Sequence, residues 1–131
     1  HAKNKEIEFV NSKYGKKRYN LMYNDFVITG PNDDPANISG SKTAKEAFIK
    51  IAESKSDFLS RGDNSGTHNK EMLIWKKSKI NPLLFSGKWY KETGAGQSTT
   101  LSMSVAMQAY ALTDRASFIS FKNNRCFYFP H

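Results

Sequence analysis

A short extended stretch that runs into a glycine-broken polar loop and then into a helix start occurs twice in this chain. That grammar constrains the fold more than any other feature. The first copy is Asp57-Phe58-Leu59-Ser60, then Arg61-Gly62-Asp63-Asn64-Ser65-Gly66, then a helical pattern over 67–79 with Met72, Trp75 and nearby Ile80 on one face. The second enters through Lys88-Trp89-Tyr90, crosses the loop Glu92-Thr93-Gly94-Ala95-Gly96-Gln97-Ser98 and continues as a helix over about 99–108, with Leu101, Val105 and Ala109 spaced by four. A strand over 109–113 follows. Upstream, the β-branched and aromatic run 21–29 predicts one strand, stopped by Gly30-Pro31 and a turn-rich loop. Ala44, Ala47, Phe48, Ile51 and Ala52 share a face at helical spacing, so a helix over 43–54 is expected, with Ser41 or Thr43 as its N-cap. Residues 2–10 read as a short helical piece ahead of the basic turn 14–18. Strands alternating with helices imply an α/β layer structure.

At 131 residues the chain has room for one core. Its 38% hydrophobic content belongs to a folded protein. A net charge of +8 attracts anionic partners of every kind without choosing among them. The single cysteine, Cys126, excludes an internal disulfide and a cysteine-rich metal site. His1, His68 and His131 lack metal-ligand spacing, and His68 is expected on an exposed first helical turn, so no metal is implied. No apolar run has the length of a membrane span. The chain opens at His1 inside a charged pattern, which predicts a processed or partial chain.

The most informative stretch is Ser60 to His68. A helix start leaves backbone N–H groups unpaired and carries the positive end of the helix dipole, which makes it an anion site in waiting. Gly62 and Gly66 admit close approach of the backbone, Ser65 and Thr67 add hydroxyls, and Arg61 brings a fork of N–H donors. Arg61, Ser65, Gly66 and Thr67 are therefore candidate oxyanion ligands. The plainer reading is a capped helix with Arg61 and Asp63 paired on the surface.

The second loop has the glycines of a phosphate-binding loop but Gln97 where the lysine belongs, which argues against nucleotide binding. A glycine loop leading into a capped helix accounts for most of it, with Ser98 and Thr99 near a cleft. Thr113, Asp114 and Arg115 follow a strand, where ligands of α/β folds collect, and are candidate supporting residues. Asp114 either holds an arginine or caps a helix. No catalytic triad, carboxylate pair or activated cysteine is visible, so no catalytic residue is assigned. The basic run of Lys13, Lys16, Lys17 and Arg18, interleaved with Tyr14 and Tyr19, keeps a nucleic-acid-binding module as the alternative. An enzyme acting on a phosphorylated substrate is carried only by the glycine loops.

Four segments, MYNDFVITGPNDDPA, FLSRGDNSGTHNKE, KWYKETGAG and AYALTDRASF, stand in an order and at spacings that resemble the tungstate-binding proteins of bacterial ABC importers. The resemblance runs from His1 to about Phe121. It implies a periplasmic-binding-protein-like lobe of type II, an α/β fold with a central sheet flanked by helices. It also implies a monomeric, non-enzymatic extracytoplasmic carrier that closes on tungstate or molybdate and delivers it to an ABC permease at the membrane. Neither a cofactor nor a nucleic-acid partner is then expected. On this resemblance 1–20 trail from the first lobe, 21–121 form the second, ligand-binding lobe with its crossing strand, and 122–131 are a divergent tail. The family's arginine before glycine falls on Arg61 and its serine–glycine–threonine on Ser65, Gly66 and Thr67, which the resemblance makes the oxyanion ligands, with Ser60 as an extra donor. The threonine- and serine-rich segment by which the family's first lobe completes the anion site is absent here. Gln97-Ser98-Thr99 and Ala116-Ser117 depart from the family's usual residues, and the tail does not continue its return strand.

Overall fold

The computed structural model describes residues 7–11, 18–22 and 26–128, and side chains over 26–121. Strands β1 (Ile7–Asn11), β2 (Arg18–Met22) and β3 (Phe26–Gly30) come first, and a loop with a short 3-10 turn leads to helix α1 (Ala44–Ser54). Strand β4 (Phe58–Ser60), helix α2 (Gly66–Lys77), strand β5 (Tyr90–Glu92), helix α3 (Gln97–Met107), strand β6 (Tyr110–Asp114) and helix α4 (Arg115–Tyr128) complete the order. The strands form one mixed sheet in the order β2-β1-β3-β6-β4-β5. Strands β5, β4 and β6 are parallel to one another, and β3 runs against β6.

Helix boundaries follow local chemistry. Thr43 caps α1 by accepting from the Glu46 N–H at 3.1 Å, and Ser65 caps α2 in the same way from His68 at 3.1 Å. Helix α1 ends at Lys55, which takes the left-handed conformation that stops helices. The face predicted for α1 is the face it buries: Ala44, Ala47, Phe48 and Ile51 lie in the main core with Ile74, Trp75, Trp89, Phe58, Tyr90 and Tyr110. Phe48 meets Trp75 at a ring separation of 4.4 Å, and Phe58 stacks over Tyr90 at 5.9 Å. Burying each of these large side chains contributes roughly 1.5–3 kcal/mol. The strands alternate as a two-sided sheet requires. Ile28, Phe58 and Leu112 join this core, while Val27 packs with Phe118 of α4 in a second cluster.

Two expectations are corrected. Residues 7–10, expected within a short helical piece, belong to a strand: β1 pairs parallel to β3 and antiparallel to β2. The run 21–29 is divided, with 21–22 belonging to β2 and 26–30 to β3. Both errors have the same origin. A window of a few residues carries no decisive period, and partner strands distant in sequence settle what local pattern leaves open. Residues 122–128 of the tail continue α4.

Candidate oxyanion-binding site

Because β4, β5 and β6 are parallel, their carboxyl ends reach one edge of the sheet; the loops holding Arg61 and Thr93 leave from there, and α4 starts there at Arg115. The first two loops are tied together. The Thr93 N–H donates to Ser60 O and the Gly94 N–H to Arg61 O, each at 2.8 Å. Gly62 sits at φ +62° with the Glu92 side chain so near that an added Cβ would stand 2.9 Å from Glu92 Cβ. Only glycine fits that turn without displacement. Helices α2 and α3 both begin at this edge.

Arg61 is held from two sides. Its Nε donates to Asp63 Oδ2 at 3.1 Å, Nη2 lies 2.9 Å from the same oxygen, and Nη1 donates to Gln97 Oε1 at 3.3 Å. Asp63 is fixed in turn, because its Oδ1 accepts from the Ser65 hydroxyl at 2.8 Å and the Ser65 N–H at 3.2 Å. The Ser65 hydroxyl bond, with the Arg61 charge in support, holds the Asp63 carboxyl below the usual aspartate range despite partial burial. The Arg61–Asp63 pair of the plainer reading therefore exists. Its guanidinium still has N–H groups beyond those contacts, since the fork carries five.

The helix start is open. Nothing approaches within 4 Å of the place where a Cβ on Gly66 would be, and the N–H groups of Gly66 and Thr67 precede the first intrahelical bond, from Asn69 to Ser65 O. Thr67 is largely buried at 8% exposure. The two serines are committed differently from expectation. Ser65 donates to Asp63, and Ser60 donates to Glu71 Oε1 at 2.7 Å while accepting from the Gly62 N–H at 3.1 Å. In this structure both hydroxyls brace the loop.

Glu71 is the residue that sequence reading missed. It is 2% exposed, and its other oxygen accepts from Trp75 Nε1 at 2.9 Å and the Tyr90 hydroxyl at 2.6 Å. Burial and the Glu71 charge push the Tyr90 hydroxyl far above its ordinary value. His68, expected on an exposed turn, folds inward instead, with Nδ1 3.2 Å from Ser60 Oγ and 3.6 Å from Glu71 Oε1. The Glu71 carboxylate beside the ring raises the His68 pKa against the opposing effect of burial. The available signal was a lone glutamate four residues before Trp75, inside the stripe that faces the core.

Among the supporting candidates, Thr113 is fully buried and donates to the carbonyl of Asp114 at 3.2 Å. Asp114 caps α4 through the Ser117 N–H at 2.9 Å, which realises one of its two expected roles. Arg115 is the first residue of α4 and half-buried. The basic stretch 13–17 lies outside the described residues. Among the described residues, no His, Cys, Asp and Glu group could hold a metal ion, and no helix is long and apolar enough to cross a membrane.

The PBP superfamily domain model matches residues 1–129. The tungstate-binding protein TupA of Peptoclostridium acidaminophilum is 40% identical over 124 residues, covering 93% of this chain and 42% of that protein. The crystal structure of the tungstate ABC transporter from Geobacter sulfurreducens superposes with a TM-score of 0.70 at 45% identity, over 81% of this chain and 44% of that one. The tungstate-binding protein TupA from Desulfovibrio alaskensis superposes with a TM-score of 0.71 at 38% identity, over 77% of this chain and 40% of that one. The chain thus spans less than half the length of these relatives.

Proposed function

Because the chain belongs to the PBP superfamily, we propose that it is the ligand-binding second lobe of the extracytoplasmic solute-binding component of an ABC importer, with tungstate as its ligand and molybdate as the nearest competitor. On this reading 21–121 make the lobe. The observation that carries the proposal is the Arg61 guanidinium, immobilised by Asp63 and Gln97 next to the open start of α2. The names of the relatives, two TupA proteins and a tungstate transporter, support the choice of anion.

A tetrahedral dianion is costly to strip of water, so its site needs many fixed donors, and one arginine supplies only part of the countercharge. Arg61 approaches from one side, while the Gly66 and Thr67 N–H groups and the Thr67 hydroxyl line the other. Ser60 and Ser65 keep the loop in shape through their bonds to Glu71, Gly62 and Asp63. A facing lobe supplies the remaining donors, and hinge closure of the two lobes presents the closed surface to the permease. The role is carriage by a monomer outside the cytoplasm, without chemistry on the ion and without a cofactor.

Isothermal titration calorimetry of the intact protein that carries this chain, with tungstate, molybdate and sulfate, is the test. Tight tungstate binding that sulfate fails to displace is the expected result. A folded intact protein that binds none of the three overturns the proposal.

A further inference from the structure

Gln97 belongs to no assigned site, yet its side chain joins the two loops. It is the first residue of α3, whose N-cap Gly96 has no side chain to offer. Its Oε1 accepts from Arg61 Nη1 at 3.3 Å, and its Nε2 is shut off from solvent with no hydrogen-bond partner among the described residues. The orientation of this amide is determined by its neighbour. A guanidinium only donates, so the oxygen must face Arg61 and the nitrogen must face away. Amide geometry then places Nε2 within about 6 Å of Arg61 Nη1. A buried N–H2 group without an acceptor is costly, and a small shift of the tied loops that admits an anion oxygen beside the clamped arginine gives it one.

We infer that Gln97 is a further anion-binding residue, one that holds Arg61 with its carbonyl oxygen and donates an N–H to an oxygen of the bound tetrahedral anion. The inference rests on the oxyanion reading of the Arg61 site and extends that site from the start of α2 to the start of α3. The two helix starts then face one anion across the tied loops. The amide adds no charge, so it stabilises the anion without weakening Arg61, which a carboxylate at the same place would do. It also gives a reason for Gln97 at a loop position where a phosphate-binding loop has lysine: a neutral donor reaches a small anion, where an ammonium reaches along a polyphosphate.

Two measurements on the intact protein with tungstate as probe test it. The Gln97 side-chain amide resonance, identified by its loss in Gln97→Met, is followed during titration, and the affinities of the parent and Gln97→Met are compared. The expected results are a downfield move of that resonance and an affinity lower by roughly 10- to 100-fold, the effect of one hydrogen bond to a charged acceptor. Unfolding of the ligand-free variant by heat, close to that of the parent, separates lost binding from lost folding. If the parent binds tungstate while the amide resonance stays in place, or while Gln97→Met binds equally well, the inference is overturned and the oxyanion reading stands. If Gln97→Met fails to fold, the amide resonance of the parent, located by selective glutamine labelling, decides alone. If the parent binds no tungstate, both fall together.

Discussion

One carboxylate oxygen of Asp63, Oδ2, receives both Nε and Nη2 of Arg61, at 3.1 and 2.9 Å. The pairing orients the guanidinium without covering all of it. An arginine anchored in this way gives up little rotamer freedom when an anion arrives, which favours binding. Both partners are partly exposed, so the pair itself adds little to stability.

Arg61→Ala should therefore separate binding from folding. Loss of two charge-assisted contacts to the anion costs about 3 kcal/mol or more, which is over 100-fold in affinity. The melting temperature without ligand should shift by no more than a few degrees. Calorimetry and a thermal melt on the same preparation check both parts, and undiminished tungstate affinity would remove Arg61 from the site.

Asp63→Asn should act through position. The amide keeps one acceptor but loses the charge that draws Arg61 and the Ser65 hydroxyl. Tungstate affinity should fall by less than in Arg61→Ala, about 10-fold. Equal losses in the two variants would show that Asp63 does more than orient its partner.

Glu71 holds together three elements. Ser60, Trp75 and Tyr90 all donate to it, from β4, α2 and β5. Glu71→Ala leaves these buried donors without an acceptor, and chemical denaturation should show a loss of at least about 3 kcal/mol. A change below about 1 kcal/mol would mean that water replaces the carboxylate at little cost.

His68 makes stability depend on pH. Its folded pKa lies above the ordinary 6.5, chiefly through the Glu71 carboxylate beside the ring, with the charges of Asp63 and Glu92 adding to it against burial. A raised pKa means that the folded state holds the proton more tightly, so the stabilisation is fully present below pH 6.5 and disappears as pH rises through the folded pKa. Melting temperature should accordingly decline as pH rises above 6.5, and His68→Gln should flatten that decline. An identical profile in the variant would show that His68 does not govern it.

Gly62→Ala combines a left-handed backbone, φ +62°, with a Cβ 2.9 Å from Glu92 Cβ. A loss of about 1–2 kcal/mol is expected from the backbone alone. Denaturation midpoints check it. The same change at Gly66, where nothing lies within 4 Å, should cost much less.

Ser60 illustrates how far the residues of the site were legible. That it stands at a strand end beside a helix start is visible in Phe58-Leu59-Ser60 followed by the glycine loop, and its place at the sheet edge follows. That its hydroxyl turns inward depends on Glu71, eleven residues away on the buried face of α2. His68 repeats the lesson. Counted along the chain it opens a helix and should be wet, but the carboxylate behind it draws the ring inward.

Local chemistry determined the elements near the site: the caps at Thr43 and Ser65, the buried stripe of α1 and the glycine loops before α2 and α3 are written in spacings of three and four residues. Those features depend on neighbours a turn away, which a sequence displays. Tertiary structure decided the remainder. Strands β1 and β2 exist because β3 and each other complete their hydrogen bonds, and no pattern over five residues announces that. The clamp on Arg61 needs Gln97 from 36 residues further along, brought there by parallel pairing of β4 with β5. Hydrogen-bond partners are chosen by distance in space, and only the closed sheet converts sequence separation into contact.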